Sequence, residues 1–397
     1  MNRSRFLDIH ILHMVGASNL NRDEAQEPKT IQLGGSTRAM VSSQAWKRPV
    51  GLEMEDVLGE HSARTRMVPP VVAERLRQLG WPEDLAAFAA AQVARSAGPK
   101  GLKTNPQQGH RTQAMLLLSV DAVDEVLALC VSHRPALEAA FAKSADLKDP
   151  AAPVLPTGQV SEHLVRRTAT ISLLGRMLAE LPGGHVEAAV QMAPAFTVNT
   201  ADPQPDFFTT VEHWPAPGEH GSAHLQTAFL VSGVFYRYTT VNITDLLHNL
   251  HDLDRRENEA HDLIALFARS FITAMPQAKK SSTAPHTLPD LVHYVVRDRR
   301  PVSYAAAFDR PVKAAPGGGH TEPARQTLAD YARRVDRLIG TADRVAHGHT
   351  GAFDQPLQPL GTFHDSFHDL AHACANAALN PTDPGHDAPR GREQEAA

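Results

Sequence analysis

Apolar positions alternate with polar ones along Phe6–Val15, where Leu7, Ile9 and Ile11 interleave with Asp8, His10 and Leu12. A period of two predicts a strand. A polar, turn-rich stretch follows from Gly16 to Gly35, and Arg38–Val41 reads as a short second strand. Ser42-Ser43 offers a helix N-cap, although Pro49 should limit or kink the helix that follows. Residues 59 to about 150 read as mostly helical, with Ala-rich runs such as Leu85–Ala97 between Gly and Pro breaks and a strand candidate at Met115–Leu118. Residues 151–156 read as a linker. Strand character returns at Ala169–Leu174 and at Val186–Met192.

Residues 194–223 are rich in Pro, Asp, Gly and Glu and form a long excursion between strands. Excursions of this length are usually functional or disordered. Leu225–Val241 is rich in β-branched and aromatic residues and predicts a strand, with Ser232-Gly233 as a candidate bulge. From about Asn258 to Met275, Leu263, Leu266, Phe267, Ser270, Phe271 and Ala274 share one helical face, and Pro276 stops the helix. Leu291–Val296 predicts a short strand. Residues 314–321, with Gly317-Gly-Gly319, predict a flexible connection, and helices are expected at about 324–339 and 362–378. The polar tail after Asn380 predicts disorder. The pattern as a whole predicts an α+β core with a large helical insertion and no internal repeat.

Composition narrows this picture little. The chain has 397 residues, 42% hydrophobic and 21% charged, within the ordinary globular range. Its formal net charge of -5 argues against a nucleic-acid partner when taken alone. Cys130 and Cys374 match no zinc or redox spacing, which suits a reducing compartment. No run reaches the roughly 18 apolar residues of a membrane helix. Arg3 and Arg5 precede an apolar run as in a signal peptide, but Asp8, His10 and His13 interrupt it. The expected location is the cytoplasm.

The distribution of charge says more than its sum. Residues 31–50 hold Arg38, Lys47 and Arg48 and no acid. A helix N-terminus presents free N–H groups and favours anions. Ser42 and Gln44 add neutral donors there, and Lys47 and Arg48 lie in the first turns. The alternative is a capped amphipathic helix with a solvated basic edge. Arg22, in Asn19-Leu-Asn-Arg-Asp23, is either a surface ion-pair residue or a second phosphate clamp. His364, His368 and His372 recur every four residues beside Asp365 and Asp369. Two His at that spacing can share a metal, but no His-Glu-x-x-His is present, so solvated or capping histidines are expected. No Gly-rich phosphate loop and no nucleophile elbow occur.

Several segments, in order, resemble the CasC family, the backbone subunit of type I-E CRISPR Cascade complexes. They begin with Phe6-Leu-Asp-Ile-His-Ile-Leu12, Leu20-Asn-Arg-Asp23, Gly34-Gly35 and Val41-Ser-Ser-Gln-Ala-Trp-Lys-Arg48. Leu174-Gly-Arg-Met177, Val186-Glu-Ala-Ala-Val-Gln191 and Phe207-Phe-Thr-Thr-Val-Glu212 follow. Then come Ser232-Gly-Val-Phe-Tyr-Arg-Tyr238, Met275-Pro-Gln-Ala-Lys-Lys280 and Ala284-Pro-His-Thr287. The likeness runs to about Val312. Two positions depart from it: Pro49 sits where the family continues a helix, and Gly51 where a second basic residue is expected.

The resemblance implies an RRM-like (ferredoxin-like) palm built from 1–58, 161–195 and 224–380. It further implies helical fingers at 59–160, a thumb at 196–223 and a disordered tail at 381–397. Copies would stack head-to-tail along a guide RNA (crRNA), leaving bases free to pair with target DNA. Other Cascade subunits would be direct partners, and a recruited helicase–nuclease an indirect one. No membrane, no cofactor, no metal and no catalysis are implied. The RNA-binding candidates are Arg22, Arg38, Ser42, Gln44, Lys47, Arg48 and Met177, with Phe196, Thr197, Val198, Phe207 and Phe208 of the thumb region. Two alternatives stand beside this reading. One is a type III-like backbone subunit that cleaves target RNA; the other is a His/Asp metal-dependent hydrolase.

Overall fold

The computed structural model describes residues 4–143, 152–211, 222–251 and 257–380. In chain order, the first elements are β1 (Arg5–Ser18), β2 (Thr30–Leu33), β3 (Ser36–Val41) and α1 (Ser43–Leu58). There follow β4 (Ser62–Thr65), α2 (Val68–Gln78), α3 (Glu83–Arg95), β5 (Thr104–Asn105), β6 (Arg111–Thr112) and β7 (Leu116–Ser119). Next are α4 (Asp121–Ser132), α5 (Arg134–Lys143), α6 (Thr157–Val165) and α7 (Ala169–Leu174). The chain continues through β8 (Val190–Met192), β9 (Ala195–Thr197), β10 (Gln204–Val211), β11 (Ser222–Asn242), α8 (Ile243–His251) and α9 (Glu257–Thr273). It ends with α10 (Lys280–Thr283), β12 (Leu291–Asp298), α11 (Thr321–Ile339), β13 (Arg344–Gly351), β14 (Thr362–Phe363) and α12 (Phe367–Leu379). This is a mixed α+β fold with a largely antiparallel main sheet.

The chain divides into two units. One holds the described residues of 1–53, 190–244 and 256–397, the other those of 54–189 and 245–255. The second therefore contains the expected fingers span, 59–160, and extends beyond it. Among the described residues, no helix is long and apolar enough to cross a membrane.

The first unit is built on one sheet in the order β14-β13-β12-β1-β11-β9-β3-β2, with β8 and β10 also paired to β11. All its pairings are antiparallel except β13 with β14. β1 is buried on both faces over most of its length. Leu7, Ile9 and Ile11 face one side, while Asp8, His10 and Leu12 face the other, all with no exposure. A central strand covered on both faces can keep polar residues only where they find partners. Asp8 accepts from the Tyr238 hydroxyl at 2.8 Å and from the Val302 N–H at 2.9 Å. A bulge falls opposite Ser232, where Val15 pairs Gly233 and Ser18 pairs Val231; the extra residues are on β1.

On the Asp8 face three histidines lie in cross-strand register: His10 of β1 opposite His293 of β12, which lies opposite His349 of β13. All are at most 1% exposed. The Tyr236 hydroxyl accepts the Tyr304 N–H at 2.9 Å and shares a second hydrogen bond with His10 Nδ1, also at 2.9 Å. His293 Nδ1 donates to the Gly348 carbonyl at 2.9 Å, and His349 Nε2 accepts the Leu357 N–H at 2.9 Å. Burial lowers the pKa of all three rings and so favours their neutral forms, and the His10 ring stacks on Tyr304 with centroids 4.0 Å apart.

The second unit has its own apolar core, in which Trp81, Leu85, Phe88 and Val93 pack with Leu116, Leu118, Val126 and Leu164. Two strand expectations change here. Ala169–Leu174 is helix α7, because the Thr168 Oγ1 caps it by accepting the Ile171 N–H at 3.2 Å. Of Val186–Met192 only Val190–Met192 is strand, while Val186 forms a lone bridge with Arg176. The expected tail after 380, the tip of the 196–223 excursion and the start of the 151–156 linker lie outside the described residues.

Candidate nucleic-acid interface

β3 delivers the chain to Ser42, whose N–H donates to Asn21 Oδ1 at 2.9 Å. The Ser42 carbonyl accepts from Ala45 N–H at 3.0 Å and Trp46 N–H at 3.3 Å, which starts α1. Asn21 also ties in the preceding loop, because the Lys29 N–H donates to its carbonyl at 2.8 Å. That loop carries Arg22, which is exposed and donates to Gln26 Oε1 at 2.6 Å. The structure therefore brings Arg22, Ser42, Gln44, Lys47 and Arg48 together at the entrance of α1. Pro49 does not end the helix, which continues to Leu58. The proline removes one N–H donor and leaves the Ala45 carbonyl without its usual helical partner.

Gln44 and Arg48 point to solvent, whereas Lys47 is half-buried. Among the described residues neither Lys47 nor Arg48 has an acidic partner. Burial lowers the Lys47 pKa below its ordinary value. A half-buried ammonium without a counter-ion is costly on its own and is relieved by an anion.

The helix is seated by its own Trp46, which is 1% exposed. The Arg237 guanidinium lies 3.9 Å from the Trp46 ring centroid and 4.7 Å from that of Phe271. It donates to the Phe271 and Ile272 carbonyls, at the C-terminal end of α9, where unpaired carbonyls favour a cation. Burial without a carboxylate partner pushes the Arg237 pKa down to about 9. Arg237→Ala should therefore lower stability by about 2–4 kcal/mol, through lost charged hydrogen bonds and cation–π contact. Chemical denaturation measures this, and an unchanged midpoint would show that other contacts seat α1.

Several expected contacts are structural instead. Arg38 has no exposure, and its guanidinium donates to the carbonyls of Thr197 (2.9 Å), Val198 (2.7 Å), Phe308 (3.2 Å) and Asp309 (3.4 Å). It binds sheet to loop and does not face a phosphate. Gly34 sits beside this clamp at φ +57°, where a Cβ would meet the Asp309 carbonyl oxygen. Phe196, Thr197 and Val198 are buried around β9, and Phe196 packs on Tyr236 at 5.8 Å between centroids. They belong to the core and not to an exposed excursion.

The excursion itself is a β-ribbon in which β10 pairs with the first half of β11. Phe207 lies opposite Thr227 and Phe208 opposite Gln226, so the two rings project on opposite faces. Phe207 is 65% and Phe208 38% exposed. In the second unit Met177 is 89% exposed. Its neighbour Arg176 is buried and holds the Gly184, Leu117, Arg166 and Val165 carbonyls. The turn before it needs Gly175, at φ +82°, because a Cβ would strike Ala188.

Two features lie outside the expected site residues. Lys279 and Lys280 follow Met275, which packs in the same cluster as Trp46, and neither lysine has an acidic partner among the described residues. The doublet itself was the available signal. The histidine stripe is not one stripe: α12 begins at Phe367, leaving His364 in the preceding turn. His368 and His372 do share the helix, with ring centroids 4.4 Å apart. Among the described residues no three His, Cys, Asp or Glu side chains converge in a metal-binding group.

Comparison with known proteins agrees with this architecture. A chain of a pre-nicking CRISPR RNA-guided surveillance complex is 38% identical and superimposes with a TM-score of 0.84, covering 94% of this chain and 100% of that one. A chain of another CRISPR RNA-guided surveillance complex is 35% identical, with a TM-score of 0.76 and coverage of 94% and 99%. No curated protein sequence matches. The family model of CT1975-like proteins, a Cas family, matches residues 7–372, and the chain belongs to that family.

Proposed function

We propose that this protein is the guide-RNA-binding backbone subunit of a type I-E Cascade complex. The observation that carries the reading is the entrance of α1, where Lys47 and Arg48 stand without acidic partners among the described residues, beside Ser42, Gln44 and Arg22. Phosphate groups would supply the missing negative charge. The likeness to chains of CRISPR RNA-guided surveillance complexes supports the setting. In this reading the first unit's sheet is the RRM-like palm, the helical second unit the fingers, and the β10–β11 ribbon the thumb. Copies associate head-to-tail along the RNA, and such heterologous contacts propagate as open helical assemblies. Other Cascade subunits join this assembly in the cytoplasm, the guide pairs with target DNA, and a helicase–nuclease acts afterwards. Base pairing reads sequence while the protein holds backbone, which reconciles RNA binding with a net charge of -5.

Lys47→Ala should weaken RNA binding whatever the sequence. The salt slope on single-stranded RNA should fall by about 0.7 for the lost contact. Unchanged affinity and slope would remove α1 from the interface. The chain alone should hydrolyse neither RNA nor DNA, with or without divalent metal. Cleavage abolished by a single Asp or His substitution would favour the nuclease alternative.

A further inference from the structure

We propose that the second unit carries its own phosphodiester-binding site, in the cavity between the C-terminal end of α3 and the β5–β6 hairpin. The cavity is about 310 Å³ and is lined by Arg95, Lys100, Lys103, Thr104, His110 and Gln113, with no acidic residue in its wall among the described residues. That volume lies at the lower end of small-ligand sites and suits a phosphate with part of its sugar.

The surrounding sequence has the same character. Residues 85–120 include Arg95, Lys100, Lys103 and Arg111 and no Asp or Glu. In a chain of net charge -5, this run stands out as strongly as the α1 entrance. Lys100 and Lys103 are exposed and, among the described residues, have no acidic partner.

The backbone that carries these charges is tied down at several points. The Leu102 N–H donates to the Ala94 carbonyl at 2.8 Å and fastens the loop to α3. Gly101, at φ +68°, lets the loop pass so close that a Cβ would lie 2.8 Å from the Arg95 carbonyl oxygen. Arg95 in turn donates to the Lys100 carbonyl at 3.1 Å. Across the cavity the Gln113 N–H donates to the Lys103 carbonyl at 2.8 Å, and Asn105 caps the hairpin turn through the Gln107 N–H at 3.1 Å.

Two lysines and an arginine lining one concavity suit a phosphodiester: lysine meets a tetrahedral anion as a point charge, and the Arg fork matches phosphate as well as carboxylate. RNA and DNA backbones share this chemistry. The site stands on the second unit's own residues and does not depend on the α1 entrance.

The test uses the full chain, a labelled single-stranded RNA, a labelled DNA duplex and a labelled polyaspartate of similar charge. Lys100→Ala/Lys103→Ala should lower affinity about tenfold at low salt for at least one nucleic acid, and the arm that responds identifies the source. On single-stranded RNA the salt slope should fall by about 1.4, at ~0.7 per contact. Lys100→Arg/Lys103→Arg should retain binding, which separates charge loss from misfolding. Lys47→Ala measured in parallel separates failure here from failure of the α1 interface. Unchanged affinity for both nucleic acids would overturn the site, and so would an equal loss for polyaspartate.

Discussion

The melting temperature should fall steeply as pH is lowered from 7.5 to 5.5. Burial drives His10 and His293 well below the ordinary histidine range, and takes His13 to about 3 and His347 to about 4. These rings stay neutral in the folded chain, while in the unfolded chain they protonate near 6.5. The unfolded state therefore binds more protons below that value, and stability drops as pH falls. Each such ring costs about 1.4 kcal/mol for every pH unit below 6.5. Asp8 works in the opposite sense. Burial raises its pKa to about 6, so the folded state takes up its proton first between 6 and 3.8. One carboxyl does not offset four histidines, and the net loss by pH 5.5 should be several kcal/mol. Thermal melting across this window measures it. A flat profile would mean that these four histidines are solvated and charge freely in the folded chain.

Phe207→Ala/Phe208→Ala should leave the free protein's melting unchanged while abolishing ordered assembly on RNA. Both rings are exposed on a ribbon that contributes little to either apolar core. In the assembled particle they would stack on bases or on the neighbouring copy. Base stacking contributes about 1–3 kcal/mol per ring, so losing both should weaken assembly by a factor of tens to tens of thousands. Substitution is a cleaner experiment than deleting residues 200–206. That deletion would also remove the largely buried Ala201, whose N–H donates to the Thr37 carbonyl at 2.9 Å. Electron micrographs of particles formed with parent and variant decide the matter. Full-length particles from the double variant would remove the ribbon from its assigned role.

Elements whose signal is local were legible in the sequence. β1, β12, α9 and the second half of β11 follow from period and β-branching, and α1 follows from Ser42. Where one hydrogen bond decides between alternatives, pattern was not enough. Thr170 and Ile171 suggest a strand, yet the Thr168 cap makes that segment helical. Likewise Ser366 accepts the Asp369 N–H at 3.0 Å, starts α12 after His364 and splits the histidine stripe. Charge in a sequence says nothing of depth. Arg38 and Lys47 look alike in the acid-free segment, but the first holds four carbonyls inside the sheet and the second waits near the surface. Phe196 and Phe207 differ in the same way: β9 is enclosed by β3 and β11, while β10 has the ribbon alone. Lys100 and Lys103 belong to an acid-free run, but the cavity that unites them depends on a tertiary contact between α3 and a short hairpin, which no local pattern encodes.

The central claim is that this chain coats guide RNA. The most direct measurement is the length distribution of RNA recovered from the protein after co-expression with its CRISPR partners and a repeat–spacer transcript. The account predicts stoichiometric RNA of one discrete length, protected from nuclease and lost from Lys47→Ala/Arg48→Ala protein at moderate salt. Protein that emerges free of RNA, or with RNA of no defined length, would contradict it.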